Sequence, residues 1–171
     1  MREEYDSLRE TPFFRFVSRL DAPYLPSPLR VVRAALELAE PRPGELLVDM
    51  GCGDGRVLVY AAREYGLRGR GYEIDPALTS LARERVEREG LEGVVEILEG
   101  DLLSAEVGDA DLVYVYLTPR LVELVWEKLL GECKRGCRAV FHDYAPSARP
   151  DSIAEVESGG LHVHRLYLYR L

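Results

Sequence analysis

The chain has 171 residues, 47% of them hydrophobic, which predicts one domain with its own core. Its formal net charge is −8, which argues against a broad phosphate-binding surface for nucleic acid or anionic lipid. Because no apolar run is long enough to span a bilayer and the start, MREEYDSLRE, is charged throughout, we expect a cytoplasmic protein without a membrane anchor.

The composition is unusual in its amides and basic residues. The chain has no asparagine and no glutamine, and every basic residue except Lys128 and Lys134 is arginine. Loss of thermolabile amides fits a heat-adapted source, and GC-rich coding gives a similar bias, so both explanations stay open. The cysteines have no zinc-site partners at useful spacing and are expected to be free thiols, although a Cys133–Cys137 bridge stays open.

The N-terminal part contains an expected extension and a first helix. Residues 1–22 are polar apart from FFRFV, which suggests a short helix packed on the body of the protein. In the next segment, PYLPSPLRVVRAALELAE, Ser27 is a good N-cap and Pro28 suits the first helical position. Helical spacing of the apolar residues then predicts an amphipathic helix over 28–40, ended by PRPG.

Strand and helix patterns alternate through the remaining chain. Helices are expected over 55–66, from Pro76 to about Glu89, and in RLVELVWEKLL. The expected strands are ELLVDM, GRGYEID, GVVEILEGD, ADLVYVYL and CRAVFHDY, followed by a hairpin formed by SIAEVES, Gly159-Gly160 and LHVHRLYLYRL. This order predicts one domain over 23–171, a doubly wound, mostly parallel α/β sheet with right-handed crossovers and a closing antiparallel strand.

A glycine-rich turn, VDMGCGDG, follows the first strand at the sheet edge where ligands bind in such folds. Its glycines, Gly51, Gly53 and Gly55, form GxGxG, whereas the dinucleotide fingerprint GxGxxG needs a glycine where Arg56 stands. Asp49 and Asp54 flank the turn and would repel a pyrophosphate. A ligand with an ammonium or sulfonium and no phosphate suits the turn better, and S-adenosylmethionine is such a ligand. A tight turn without a ligand is the alternative.

Two further acids follow the next two strands. Glu73 lies about 20 residues after the first glycine, where a carboxylate accepts both ribose hydroxyls of a nucleoside cofactor, although NAD sites use the same arrangement. Asp101 can accept from an adenine amino group, with Leu102 packed on the ring. The alternatives are a solvated carboxylate for Glu73 and an ordinary turn aspartate for Asp101.

These motifs, VDMGCGDG, GYEIDP, EGDLL and ADLVYVYLTP, resemble in this order the seven-strand (class I) S-adenosylmethionine-dependent methyltransferases. The resemblance covers residues 23–171 and implies the strand order 3-2-1-4-5-7-6, with strand 7 antiparallel and helices on both faces. The predicted cofactor-binding residues are Tyr24, Pro26, Asp49, Gly51, Cys52, Gly53, Gly55, Glu73, Ile74, Asp101, Leu102 and Tyr116.

A closer resemblance concerns the methyl acceptor. Methyltransferases that act on adenine amines typically carry [DN]-PP-[YF] after the fourth strand, where this chain has YLTP. Together, PYLPSP, VDMGCGDGRVLVYAA, GYEIDP, YLTPRLVELVWEKL and AVFHDY are similar to the small archaeal and mitochondrial protein-lysine methyltransferases. This similarity implies that Tyr24 and Pro26 lie beside the cofactor, although a rigid lead-in to the helix is the alternative. The family often has a tryptophan after strand 5, where this chain reads APSARP.

The residues expected to act on the acceptor follow strands 4 and 5. Tyr116 is the first candidate to line a lysine channel, with Tyr114 on the same face and one layer deeper. His142 and Asp143 end strand 5 and can orient the amine or relay its proton, and core packing or a structural histidine are the alternatives. His162 and His164 alternate on the closing hairpin, where a surface strand is favoured over the alternative of a metal-binding pair, so no metal site is expected.

We therefore expect a protein-lysine methyltransferase that acts on exposed lysines of other proteins, without stable nucleic-acid binding. A small-molecule or RNA methyltransferase and a non-catalytic cofactor-binding module are the alternatives, and the oligomeric state stays open. Self-modification should be limited because Lys128 and Lys134 are the only lysines, and both are expected to face solvent.

Overall fold

The computed structural model describes residues 24–157, 159 and 162–171, so the expected extension over 1–22 lies outside the described residues. The helices are α1 (Leu29–Ala39), α2 (Arg56–Tyr65), α3 (Pro76–Arg88) and α4 (Pro119–Glu132), with a 3-10 turn at Leu102–Ser104. The strands are β1 (Leu46–Met50), β2 (Arg68–Glu73), β3 (Val95–Glu99), β4 (Leu112–Val115), β5 (Arg138–His142), β6 (Ser152–Glu157) and β7 (Val163–Arg170). Among the described residues, none of these helices is long and apolar enough to cross a bilayer.

The strands form one sheet in the order β3-β2-β1-β4-β5-β7-β6. The first five pair in parallel, and β7 runs antiparallel to both β5 and β6. The predicted fold class and strand order are therefore confirmed.

Helices cover both faces of this sheet, which explains why β1 is apolar along most of its length and buried throughout. Leu47 and Tyr114 belong to the core beneath α1, α2 and α3. Val48 and Val113, one position later or earlier along the same strands, belong to the core beneath α4. Asp49 lies beside Tyr114 in the β1–β4 pairing, so the strand period brings this acid to the face of the first core.

The start of α1 differs from the predicted one. The N-cap is Pro28 rather than Ser27, and no side chain caps the helix. The Ser27 hydroxyl lies 2.9 Å from the Tyr114 hydroxyl and is nearly buried. A tertiary contact therefore takes the oxygen that the sequence pattern assigned to the helix terminus.

The cysteines are free thiols, as expected. The prediction that Lys128 faces solvent is wrong, because its side chain is 9% exposed and its Nζ lies 2.6 Å from Glu132. Lys134 is 44% exposed, and its Nζ pairs with Asp111. Both amines are thus held by acids of the same chain.

Candidate active site

The carboxyl ends of β1, β2 and β4 open onto a cavity of about 420 Å³. This volume is within the range of small-molecule and cofactor sites, and the location is the usual one in doubly wound sheets. Every predicted cofactor-binding residue except Gly55 lines the cavity.

The glycine turn forms one wall through backbone geometry that only glycine adopts without strain. Gly51, Gly53 and Gly55 have φ angles of 87°, 55° and 75°. A Cβ atom on Gly53 would lie 2.5 Å from Cε2 of Tyr24, so the aromatic ring rests directly on the turn. A Cβ atom on Gly55 would lie 3.1 Å from that of Ala82, so this glycine allows α2 to approach α3 and faces away from the cavity.

Glu73 is held by backbone donors at the end of β2. Its Oε2 accepts from the Gly53 N–H and its Oε1 from the Asp75 N–H, both at 2.9 Å. Burial raises the pKa of Glu73, whereas the amides of Asp75 and Gly53 act in the opposite direction by stabilising the carboxylate. Each oxygen has a second lone pair, so the fixed carboxylate can accept the two hydroxyls of a ribose in the cavity.

The two acids beside the turn have different electrostatic roles. Asp54 pairs with Arg56 at 2.8 Å and Arg85 at 2.6 Å, and although burial opposes it, the Arg56 hydrogen bonds and both positive charges lower its pKa. Asp49 is 2% exposed, and no donor among the described residues hydrogen bonds its carboxylate. Burial, followed by the charges of Glu73 and Asp54, raises the pKa of Asp49 well above its ordinary value. Of these two acids, only Asp49 therefore presents to the cavity a carboxyl group without a cationic partner among the described residues.

The opposite wall follows β3. Asp101 is exposed and caps the 3-10 turn, where its Oδ1 accepts from the Leu103 N–H at 2.9 Å. Asp101 therefore acts as a turn aspartate in this structure. It also lies on the cavity wall beside Leu102, and its contact with an adenine amino group stays a prediction. Ile74 lines the mouth and is 52% exposed, which gives the cavity an apolar rim.

The tyrosines at the end of β4 lie as predicted. Tyr114 is 3% exposed, whereas Tyr116 is half-buried and nearer the surface, and both line the cavity. The Tyr116 ring stacks on His142 with centroids 3.8 Å apart, and its hydroxyl donates to Oδ2 of Asp143 at 3.3 Å. Asp143 thus fixes the tyrosine that sequence analysis placed at the acceptor.

Behind the tyrosines, a buried polar chain joins distant parts of the sequence. The Tyr114 hydroxyl contacts Ser27 Oγ at 2.9 Å and His142 Nδ1 at 2.8 Å, and His142 Nε2 contacts His164 Nδ1 at 2.8 Å. His142 is fully buried and does not line the cavity. Burial lowers the pKa of His142 to about 4, so its ring is neutral at pH 7.

His164 was missed by sequence analysis. The surface-strand prediction is wrong for it, because it is 6% exposed and contacts His142 and Asp143. The period of two along β7 carried the signal, since His164 shares its side of the strand with buried Leu166 and Leu168. His162 is 65% exposed at its side chain, as expected of a surface strand.

Comparison with known proteins identifies the family. The family described as the ANTKMT methyltransferase domain matches residues 49–152, which include the glycine turn, Glu73 and both cavity tyrosines. The chain belongs to this family. As a methyltransferase of this family, it uses S-adenosylmethionine, and a cavity lined by a fixed Glu73 and a buried Asp49 suits that cofactor, which carries positive charge and no phosphate.

Relatives of this methyltransferase extend beyond the matched range. A protein-lysine N-methyltransferase of Saccharolobus islandicus (strain REY15A) is 32% identical over 86% of this chain and 92% of its own length. The adenine nucleotide translocase lysine N-methyltransferase of Mus musculus is 39% identical over 78% of this chain, which spans 58% of that protein.

The fold of the methyltransferase also matches solved structures. An RNA methyltransferase from Salinibacter ruber, in complex with S-adenosyl-L-homocysteine, superposes with a TM-score of 0.80 at 34% identity, covering 85% of this chain and 93% of that one. The neighbour thus carries the demethylated cofactor on the same fold.

Proposed function

We propose that this methyltransferase transfers methyl groups from S-adenosylmethionine to lysine side chains of other proteins. The observation that carries the proposal is the similarity to the protein-lysine N-methyltransferase of Saccharolobus islandicus, which extends over 92% of that protein. The arrangement of the cavity supports it, because the tyrosines lie beside an uncompensated buried acid.

The cofactor is held by the glycine turn and the strand-end acids. Glu73 accepts the ribose hydroxyls, Asp49 attracts the positive groups, and Asp101 with Leu102 contacts the adenine. Tyr24 and Pro26 cover the turn from the N-terminal side. When bound, the cofactor supplies an electrophilic methyl group on a sulfonium centre.

The acceptor end must present a neutral amine. A lysine amine has an ordinary pKa of about 10.4, and entry into a partly desolvated channel lowers it. The Tyr116 hydroxyl donates a hydrogen bond to Asp143, and a hydroxyl oxygen that donates in this way can also accept an amine N–H. This hydrogen bond directs the nitrogen lone pair towards the methyl group, and positioning supplies most of the rate.

His142 and Asp143 act through Tyr116 in this proposal. His142 lies beneath the tyrosine ring and Asp143 holds its hydroxyl, so both position the residue that contacts the amine. A direct proton relay through His142 stays a prediction, and its burial outside the cavity favours the positioning role.

RNA is the alternative acceptor, because the similar structure from Salinibacter ruber is an RNA methyltransferase. The net charge of −8 and the absence of [DN]-PP-[YF] favour protein over RNA, so we expect no stable nucleic-acid binding. We also propose a cytoplasmic protein from a heat-adapted source, with residues 1–22 as an extension to the domain over 23–171.

Methyl-labelled cofactor incubated with the protein and a cell lysate tests the proposal. The label should enter the protein fraction as methyl-lysine. Label that enters RNA or the small-molecule fraction instead would assign the other acceptor class, and no transfer at any working temperature would favour a cofactor-binding module.

A further inference from the structure

Three ligand atoms of the kind that hold transition metals converge behind the cavity. His142 and Asp143 come from the end of β5, and His164 comes from β7, on the adjacent antiparallel strand. The Nε2 of His142 lies 2.8 Å from Nδ1 of His164 and 3.5 Å from Oδ2 of Asp143, and the last two atoms are 3.0 Å apart.

These separations match a common coordination sphere. A first-row divalent ion binds imidazole nitrogen and carboxylate oxygen at about 2.0–2.2 Å, and tetrahedral or octahedral angles then separate neighbouring ligand atoms by about 2.8–3.6 Å. All three observed distances fall within this range, so one ion reaches all three atoms with little movement of the side chains.

Hydrogen bonds to the outer atoms of the ligands fix their orientation. The Nδ1 of His142 faces the Tyr114 hydroxyl at 2.8 Å, and Oδ1 of Asp143 accepts from the Arg165 N–H at 3.0 Å. Such partners are usual around metal-binding imidazoles and carboxylates, because they set the ring tautomer and aim the remaining atom at the ion. The backbone aids this arrangement, since Asp143 has a φ of 62° and its carboxylate turns back towards β7.

Proton accounting also favours a cation at this point. His142 can give its Nδ1 proton to Tyr114, which leaves Nε2 as an acceptor beside the acceptor Oδ2 of Asp143. Without a metal, a single proton on Nδ1 of His164 must then serve both neighbours at once. A divalent ion in place of that proton interacts favourably with all three atoms simultaneously.

We propose that His142, Asp143 and His164 form a binding site for a divalent transition-metal ion such as Zn²⁺. The mixed imidazole and carboxylate ligands suit Zn²⁺ and its neighbours rather than Ca²⁺ or Mg²⁺. Because the cluster lies outside the cavity, behind Tyr116, the ion is structural: it ties the end of β5 to β7 and thereby holds Asp143 against the tyrosine hydroxyl.

Cobalt(II) titration of the full chain tests the site directly, independently of any methyl acceptor. The metal-free protein should take up one Co²⁺ per chain, with visible d–d absorption, and Zn²⁺ should displace it. His164→Asn and Asp143→Asn should each weaken binding at least tenfold. Glu96→Gln is the matched control, since this exposed acid lies on β3, at the far edge of the sheet, and it should keep the band. His162 is unsuitable as a control, because its Nε2 lies 3.8 Å from Oδ2 of Asp143.

A stability measurement guards against variants that simply fail to fold. Zn²⁺ at about 100 times its dissociation constant should raise Tm of the wild type and of Glu96→Gln by about 5–10 °C, and should leave Tm of folded His164→Asn and Asp143→Asn unchanged. No uptake by the wild type, an intense near-ultraviolet thiolate band, or equal loss in Glu96→Gln and His164→Asn would each overturn the proposal.

Discussion

The two ends of the cavity are built in different ways. The cofactor end uses backbone geometry and short connections: the Gly53 amide fixes Glu73, and both follow adjacent strands β1 and β2. The acceptor end uses side chains from Ser27, Tyr114, His142 and His164, which lie far apart in sequence. Cofactor binding and acceptor handling therefore depend on separate sets of contacts, so a variant should change cofactor affinity or the rate of methyl transfer without changing the other.

The largest expected effect is on the cofactor end. Glu73→Ala removes two hydrogen bonds to a charged acceptor, each worth about 1.5–3 kcal/mol, so cofactor affinity should fall at least tenfold, measured by calorimetry. Glu99→Ala is the matched control, because Glu99 pairs with Glu73 across the β2–β3 register and does not line the cavity. Undiminished binding by Glu73→Ala, or tight NAD binding by the wild type, would remove the basis for the cofactor assignment.

The next largest effect is expected at the acceptor end, where a variant should slow methyl transfer without weakening cofactor binding. Tyr116→Phe keeps the ring stacked on His142 and removes the hydroxyl that accepts a hydrogen bond from the amine, so the rate of methyl transfer should fall about 10–100-fold. The cofactor dissociation constant should stay within about threefold, because no ribose or adenine contact is assigned to this hydroxyl. Tyr65→Phe, at the end of α2 and outside the cavity lining, serves as control. A matching loss of cofactor affinity in Tyr116→Phe would show that the two ends are not separable.

Asp49 lies where the two ends meet. Burial raises its pKa, so its folded pKa exceeds its unfolded pKa, and ionisation of this carboxyl group destabilises the cofactor-free protein. Stability from this residue is therefore gained as pH falls through the raised pKa. Asp49→Asn should raise Tm of the cofactor-free protein while weakening cofactor binding about tenfold.

The same pKa predicts proton linkage. A cationic cofactor stabilises the carboxylate, so binding should release protons and affinity should fall as pH drops through the pKa of Asp49. Calorimetry in two buffers with different ionisation enthalpies measures the released protons, and Asp49→Asn should abolish the difference. Equal proton release by this variant would assign the linkage to another group.

The smallest expected effect is self-modification. Lys128 is largely covered and pairs with Glu132, and Lys134 pairs with Asp111, so neither amine enters a channel readily. Mass spectrometry of the protein after incubation with cofactor alone should find less than about one methyl group in ten chains, since each amine must first leave its ion pair. Stoichiometric methylation of Lys128 would mean that α4 opens and that the acceptor end is less enclosed than its contacts suggest.

Sequence analysis selected residues that line the cofactor end because that end follows local rules, and their contacts with the cofactor stay predictions. Glycine spacing, strand ends and the acids after β2 and β3 are all readable along the chain, and the resemblance supplied the strand order. Even so, the argument from two acids was only half right, since Arg56 and Arg85 both neutralise Asp54 and leave Asp49 without a cationic partner among the described residues. Arg56 stands two residues after Asp54 and was readable in the sequence, whereas the pair with Arg85 joins the turn to α3 and leaves no pattern near the turn.

The acceptor end was predicted only in part. Sequence analysis selected Tyr116, His142 and Asp143 as acceptor-end candidates because each lies at the end of an expected strand. The strand period also predicted that Tyr114 lies deeper than Tyr116. Ser27 was assigned to a helix cap and His164 to the surface, because their partners come from β4 and β5 and are set by tertiary packing. Comparing His164 with Leu166 and Leu168 along β7 would have corrected the second error.

Mass spectrometry of a lysine-rich acceptor protein, incubated with cofactor and the wild type, Tyr116→Phe or Glu73→Ala, tests the central claim most directly. The wild type should produce methyl-lysine. Tyr116→Phe should produce far less at any cofactor concentration, whereas Glu73→Ala should recover activity as the cofactor concentration rises. Absence of methyl-lysine with the wild type at its working temperature, alongside methylated RNA in a parallel assay, would contradict the account.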